Sequence, residues 1–236
     1  MLSLEKKSQL DLSKTVQITL EKNNLSNIRA NVVLAIDVSG SMDWLFRSGQ
    51  VQLAAERVVA LASKWDPDQQ IDVFVFDNGS RAVGQMGVAN YDGWIQKNIY
   101  ERGYVGGGTN YAPVINNITK KYATKSGGFL EFGAKPAPAA VPTYVLFITD
   151  GDNYDRAAAC SAVTEASKHG IFWQFVGLGN QRFEMLKTLD DLQNRTVDNA
   201  NFFQLNDKIS DEQLYQLMLT EFPGWIQRAK SLNILA

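Results

Sequence analysis

The chain has very little of the chemistry on which zinc, copper and disulfide sites depend. Its 236 residues include one cysteine, Cys160, and one histidine, His169. A single cysteine cannot form a disulfide within the chain, and clustered nitrogen and sulfur ligands for zinc or copper are missing. We therefore expect neither a disulfide-stabilised fold nor a zinc or copper centre. The single cysteine is consistent with a cytoplasmic location.

An excess of one charge sign is also missing. The chain has 23 Lys and Arg against 25 Asp and Glu, a formal net charge of −2. Because no basic cluster stands out, nucleic acid is not expected as the main partner. The N-terminal run MLSLEKKSQLDLSK contains lysines but no apolar stretch follows it, so it does not have the pattern of a signal peptide. We expect a cytoplasmic protein that does not insert into a membrane.

The chain does have a regular alternation of strand and helix patterns. Short apolar runs rich in β-branched and aromatic residues predict buried strands, and apolar residues at helical spacing predict the helices between them. The predicted strands are 32–36, 71–76, 144–149, 171–176 and 201–205, with an edge strand at 80–86. The predicted helices are 47–64, 91–101, 113–122, 156–168, 182–189 and 211–228. Since parallel strands need crossover connections, we predict an α/β fold with a mostly parallel central sheet of about six strands and helices on both faces.

Two segments fall outside this alternation. Residues 1–30 form an N-terminal extension, in which Leu12, Val16 and Leu20 are spaced for a helix, although TVQITL also alternates like a strand; we favour the helix. Residues 124–142 are rich in Gly, Ala and Pro and are predicted to be a flexible insertion. We assign the remainder, 31–236, to one domain.

Hydroxyl and carboxylate side chains follow three of the predicted elements. Asp37, Ser39 and Ser41 follow the first strand, Thr109 lies in the glycine-rich turn GGGTN, and Asp150 follows the strand that ends in VLFIT. In a parallel sheet the carboxyl ends of the strands meet at one edge, where ligands bind. Hydroxyl and carboxylate oxygens suit a hard cation, so we predict one Mg²⁺ or Mn²⁺ at this edge.

The strings DVSGSM, GGGTNYAPV, FITDGDN and IFWQFVGLG resemble a known family. Together they are similar to the metal-ion-dependent adhesion site (MIDAS) of von Willebrand factor type A (vWA) domains, most of all the C-terminal vWA domain of TerF-type tellurium-resistance proteins. The resemblance implies a Rossmann-like vWA fold. It also implies that Ser39, Ser41 and Thr109 ligate the metal directly, whereas Asp37 and Asp150 act through water. The family setting would be bacterial, cytoplasmic and linked to tellurium resistance and stress.

The expected function is divalent-metal-dependent protein binding, in which a partner's Asp or Glu completes the coordination of the metal. Trp44 and Phe46 follow the serine loop and are candidates for partner contact. We do not expect an enzyme. Two alternatives remain open: a Mg²⁺-dependent phosphohydrolase-like enzyme, although the second carboxylate needed there is replaced by Ser39, and a metal-free structural domain whose serine loop caps the first helix.

Overall fold

The computed structural model describes residues 4–66, 68–124, 137–206 and 209–236. Residues 125–136, most of the predicted insertion, lie outside this part of the chain. The described strands are β1 (Asn31–Asp37), β2 (Gln70–Phe76), β3 (Ser80–Gly87), β4 (Thr143–Thr149), β5 (Ile171–Leu178) and β6 (Ala200–Leu205). The described helices are α1 (Leu4–Lys22), α2 (Asp43–Arg47), α3 (Gln50–Trp65), α4 (Ala112–Thr124), α5 (Arg156–Ala166), α6 (Glu184–Asp190), α7 (Asp211–Leu219) and α8 (Phe222–Ser231).

The six strands form one sheet in the order β3-β2-β1-β4-β5-β6. Every neighbouring pair is parallel except β2 with β3, which is antiparallel at the sheet edge. The predicted α/β architecture with a mostly parallel sheet is therefore confirmed. Strand β1 lies between β2 and β4, and this central position brings the loops that follow these three strands to the same edge of the sheet.

Helices cover both faces of the sheet, as strand β1 shows. Its residues Val32, Leu34 and Ile36 join one apolar cluster, whereas Val33 and Ala35 join a second cluster on the opposite face. This alternation follows from the two-residue period of a strand. The first cluster is completed by residues of α1, α3, α7 and α8, and the second by residues of α4, α5 and α6.

The N-terminal helix predicted within residues 1–30 is present as α1. Its Leu12, Val16 and Leu20 are buried in the first cluster, against α3 and α7. At its end, Lys22 Nζ lies 2.8 Å from Glu212 Oε1 on α7. The helix thus packs on the same core as the sheet. No helix in the described part of the chain is both long and apolar enough to cross a membrane.

Three predicted helices are wrong in their extent. The helix predicted at 91–101 is reduced to residues 94–100, of which Gln96–Tyr100 form a π-helix. The single closing helix at 211–228 is two helices, α7 and α8, with Pro223 in the first turn of α8. Proline has no N–H to donate and fits a first turn better than a helix interior, which favours the break. The helix predicted at 47–64 begins instead at Gln50, after Gly49, whose positive φ of 77° separates it from α2.

Candidate metal centre

The loop after β1 brings two serine hydroxyls together. Asp37 is the last residue of β1, and the chain then forms a short 3₁₀ turn at Gly40–Met42. Ser39 Oγ and Ser41 Oγ lie 3.2 Å apart as a result. Ser39 is buried, whereas Ser41 is exposed at the surface. The pair therefore presents oxygen atoms toward the outside of the sheet edge.

Asp150 joins this pair from the neighbouring strand. It follows β4, which is in parallel register with β1 through the pair Ile36 and Ile148. Because the two strands end side by side, Ser41 Oγ donates a hydrogen bond to Asp150 Oδ1 at 2.8 Å. Burial raises the pKa of Asp150 above its ordinary value, and the hydrogen bond from Ser41 opposes this.

The glycine-rich turn is fixed to the serine loop by backbone hydrogen bonds. The N–H of Gly106 donates to the Val38 carbonyl at 2.7 Å, and the N–H of Gly40 donates to the Gly107 carbonyl at 3.3 Å. Gly106 and Gly107 both have positive φ values, 152° and 84°, which residues with a Cβ rarely adopt. This arrangement places Thr109, which is buried, on a loop joined to the serines.

Asp37 is a fully buried carboxylate beneath these loops. Its Oδ1 accepts from the Ser39 N–H at 2.7 Å, and its Oδ2 accepts from Thr149 Oγ1 at 2.5 Å. Burial nevertheless raises the pKa of Asp37 to about 6. The free-energy cost of removing the charged carboxylate from water is larger than the stabilisation that these hydrogen bonds provide. A cation beside it would favour the charged form and lower this pKa.

A second set of residues holds the loops in place, and sequence reasoning missed it. The Tyr111 hydroxyl donates to the Gly151 carbonyl at 2.5 Å and lies 3.3 Å from Thr149 Oγ1. Asp155 accepts from the backbone N–H groups of Tyr111 and Ala112 at 2.9 and 2.8 Å. The turn that carries Thr109 is thereby tied to the loop that carries Asp150.

The rim of the site corrects one expectation about partner contacts. Trp44 is 69% exposed, but Phe46 is only 5% exposed and stacks on Tyr100 with ring centroids 6.1 Å apart. Phe46 is thus a core residue, and its prediction as a contact residue is wrong for this conformation. A second exposed aromatic, Tyr154 at 83%, was not predicted; its N–H donates to the Thr109 carbonyl at 2.9 Å.

The chemistry of these donors fits a hard cation. Asp37, Ser39, Ser41 and Asp150 form one hydrogen-bonded group, with Thr109 on the loop fixed beside it. Two neighbouring oxygen ligands of an octahedral Mg²⁺ site lie about 3 Å apart, given metal to oxygen distances of about 2.1 Å. The 3.2 Å between the Ser39 and Ser41 hydroxyl oxygens matches that spacing. The described residues contain no group of three or more His, Cys, Asp or Glu side chains placed to hold a metal.

Comparison with known proteins identifies the family. A family model of the vWA domain found in the TerF C terminus matches residues 29–235. The chain belongs to this TerF-like vWA family. It is also 34% identical over 231 residues to the uncharacterized protein YcbR of Bacillus subtilis, an alignment that covers 96% of this chain and 90% of YcbR.

Solved structures share the vWA fold at low sequence identity. The vWA domain of SpRpn10 has a TM-score of 0.53 and 12% identity, covering 80% of this chain and 93% of that one. Proximal thread matrix protein 1 from the mussel byssus, with a zinc-occupied MIDAS motif, has a TM-score of 0.53 and 16% identity, covering 86% of this chain. The TerF-like chain spans only 48% of that mussel protein. These likenesses establish the fold alone.

Proposed function

We propose that this TerF-like vWA domain is a divalent-metal-dependent protein-binding module. Its metal would be held by Ser39, Ser41 and Thr109, with Asp37 and Asp150 acting through water. The observation that carries the proposal is the pair of serine hydroxyls after β1, 3.2 Å apart, together with the 2.8 Å contact of Ser41 with the Asp150 carboxylate after β4. A carboxylate of another protein would complete the site.

The balance between hydroxyls and carboxylates supports binding of an external carboxylate. Two ionised aspartates, Asp37 and Asp150, offset the charge of one divalent cation, while neutral hydroxyls make the direct contacts. A metal bound in this way remains electrophilic, because no carboxylate of the chain itself is a direct ligand. The chain's own part is to orient the hydroxyls, and the buried Asp37 does so through the Ser39 N–H.

Trp44 supplies a candidate apolar contact beside this site. It lies three residues after Ser41, and its side chain is largely exposed. Burial of an aromatic side chain in an interface contributes about 1.5–3 kcal/mol. We propose that Trp44 packs against the partner next to the metal-bound carboxylate.

Mg²⁺ or Mn²⁺ is the proposed cation, and bacterial tellurium resistance or stress response in the cytoplasm is the proposed setting. The oxygen-only donor set supports the choice of cation. The family match to the TerF C terminus supports the link to tellurium resistance, and the Bacillus subtilis relative supports a bacterial setting.

A binding role is favoured over catalysis by the position of the only histidine. His169 precedes the amino end of β5, the edge of the sheet opposite to the site, and burial lowers its pKa. At the site itself, the buried carboxylate of Asp37 is covered by Ser39 and Thr149. We therefore propose a module that is not an enzyme.

Calorimetry with EDTA-treated protein tests the metal site. Mg²⁺ and Mn²⁺ should each bind once. Asp37→Ala and Ser41→Ala should each weaken binding by at least about tenfold, the usual scale for losing a group around a metal. Ser161→Ala, an exposed serine on α5, is the matched control and should bind as the wild type does. Wild-type affinity in both site variants would refute the site.

The open coordination position needs a separate measurement. In the Mn²⁺-loaded protein, addition of N-acetylglutamate should reduce the relaxation of water protons, because a carboxylate displaces a metal-bound water. Trp44→Ala should bind Mn²⁺ normally. Unchanged relaxation at saturating carboxylate would contradict the proposal. Hydrolysis of p-nitrophenyl phosphate that requires Asp37 would favour the phosphohydrolase alternative, and absence of any metal binding would favour the structural one.

A further inference from the structure

Three aspartates at the metal edge each pair with an arginine four residues later. They follow β1, β2 and β4, the three adjacent strands whose carboxyl ends meet at the site. The pairs therefore lie at the same edge of the sheet as the site. The ion pairs are Arg47 Nε with Asp43 Oδ2 at 2.9 Å, Arg81 Nη2 with Asp77 Oδ2 at 3.2 Å, and Arg156 Nη2 with Asp152 Oδ2 at 2.5 Å.

Each pair lies close to a loop of the site. Asp43 is two residues after Ser41, and Asp152 is two residues after Asp150. The side chain of Asp77 lies beside the glycine-rich turn, so close that a side chain at Gly107 would begin 3.8 Å from Asp77 Oδ2. Its backbone carbonyl also accepts from the Asn110 N–H at 2.7 Å. All three pairs therefore lie on segments at the same edge of the sheet as the site.

The three arginine side chains are accessible, although Arg47 Nε also donates to the Tyr100 hydroxyl at 2.8 Å and the Arg81 guanidinium lies over the Tyr104 ring, 5.0 Å from its centroid. Arg47, Arg81 and Arg156 are 64, 47 and 53% exposed. Exposed ion pairs four residues apart contribute little to stability. A guanidinium group has five N–H donors arranged to hold a carboxylate through two parallel bonds. Each arginine pairs with its aspartate through one nitrogen, so its remaining N–H groups can donate to a carboxylate of a ligand.

Two of these segments also carry the exposed aromatic side chains. Trp44 lies between Asp43 and Arg47, and Tyr154 lies between Asp152 and Arg156. Arginine and aromatic residues are the types most enriched in the energetically important parts of protein interfaces. The site is thus flanked on two sides by the same combination of an aromatic ring and a guanidinium group.

We infer that the partner presents an acidic peptide segment, not an isolated carboxylate. One carboxylate would complete the metal site, and neighbouring carboxylates would bind Arg47, Arg81 and Arg156, with apolar side chains between them against Trp44 and Tyr154. The pairing within the chain cancels the negative charge of the three rim aspartates, which would otherwise repel such a segment. This inference rests on the proposed function.

Hexaglutamate and N-acetylglutamate are the probes that distinguish binding of an acidic segment from binding of a single carboxylate. Labelled hexaglutamate is titrated with the full-length chain at fixed excess free Mg²⁺, with fluorescence anisotropy as the readout and N-acetylglutamate as a competitor. Hexaglutamate has a sixfold statistical advantage, and multivalent contact should raise its affinity well beyond that, by about thirtyfold or more over N-acetylglutamate. Arg47→Gln and Arg156→Gln should each lower the hexaglutamate affinity about two- to fivefold, and leave Mg²⁺ affinity unchanged.

Lys168→Gln is the matched control for the arginine variants. Lys168 is 49% exposed, pairs with Glu165 at 2.5 Å and lies beyond the far end of α5, opposite to the site. Its loss changes the net charge by the same amount, so it corrects for a general electrostatic effect. We expect its hexaglutamate affinity to equal that of the wild type.

The outcomes distinguish failure of the inference from failure of the proposed function. If N-acetylglutamate binds only with Mg²⁺ but hexaglutamate gains no more than sixfold, or if the arginine variants match Lys168→Gln, the acidic-segment inference is wrong and the proposed function stands. If neither probe binds the Mg²⁺-loaded protein, or if both bind equally in EDTA, the proposed function fails as well. More effective competition by hexaphosphate than by unlabelled hexaglutamate would overturn the inference in favour of a phosphate ligand.

Discussion

Removing the Thr149 hydroxyl should weaken metal binding, although we do not assign this residue as a ligand. Thr149 Oγ1 donates to Asp37 Oδ2 at 2.5 Å, and Ser39 donates to the same buried carboxylate through its N–H at 2.7 Å and through its side chain. Thr149→Val keeps the shape of the side chain and removes the donor. The Asp37 carboxylate would then remain buried without the hydrogen bond to its Oδ2, with Ser39 as its remaining donor.

The size of the effect follows from the kind of bond removed. A hydrogen bond to a charged group contributes about 1.5–3 kcal/mol, and Asp37 is fully buried. The bond is present with or without a metal, so metal binding loses only the added cost of deprotonating Asp37. Loss of the bond would raise the pKa of Asp37 from about 6 by a further ~1–2 units. In the proposed site, which takes the charged form of Asp37, this corresponds to a fall in Mg²⁺ affinity at pH 7 of about 2- to 15-fold. Calorimetry of the EDTA-treated variant with Mg²⁺ measures this fall directly.

Two variants make the test specific to the hydroxyl. Thr149→Ser restores the donor and should recover most of the Mg²⁺ affinity. Thr119→Val is the control for a buried threonine, since Thr119 Oγ1 on α4 is buried without a hydrogen-bond partner among the described residues. It should bind Mg²⁺ as the wild type does. The reasoning is refuted if Thr149→Val also binds with wild-type affinity, or if Thr149→Ser binds no better than Thr149→Val.

Two further predictions concern stability. Burial, together with the charges of Glu221, Asp191 and Asp198, raises the pKa of Asp190 to about 7, so the folded state favours its protonated form. The contribution of the protonated Asp190 carboxyl to the stability of the folded state is fully present below about pH 4 and is lost as the pH rises through about 7. The free energy of unfolding of Asp190→Asn, relative to that of the wild type, should therefore rise by about 1–2 kcal/mol between pH 5 and pH 8, after allowance for solvent screening. Urea unfolding at both pH values measures this difference. A difference that does not change with pH would contradict the assignment. Gly177→Ala places a Cβ 2.7 Å from the Phe183 ring, which should lower the free energy of unfolding by about 1–3 kcal/mol in the same assay, whereas an unchanged midpoint would show that the ring moves freely.

The sheet and the edge that carries the site were predictable because they depend on local patterns. An apolar run such as Val32 to Ile36 forms a strand covered on both faces, and the polar residues that follow such strands must lie at their carboxyl ends. Parallel pairing then brings Ser41 and Asp150 together. For these residues, the pattern along the chain determines the position in space.

The orientation of Phe46 was not predictable in the same way. Trp44 and Phe46 are two residues apart in a five-residue helix, too short for its apolar spacing to define one buried face. The choice depends on a tertiary contact, the stacking of Phe46 on Tyr100, which lies in a different segment of the chain. Either aromatic residue fitted the pattern, and only the packed structure separates them.

The role of Asp155 shows what kind of signal the sequence does contain for such distant contacts. The first N–H groups of a helix have no partner within the helix, and a Ser, Thr, Asp or Asn just before the helix usually accepts from them. Helix α4 begins at Ala112 after Tyr111, which is not a capping residue, so its buried N–H groups require an acceptor from elsewhere. Asp155 provides it from 43 residues away. Helix α4 follows directly on the turn that carries Thr109. Because Asp155 replaces the missing local cap, it also joins this turn to the loop that carries Asp150.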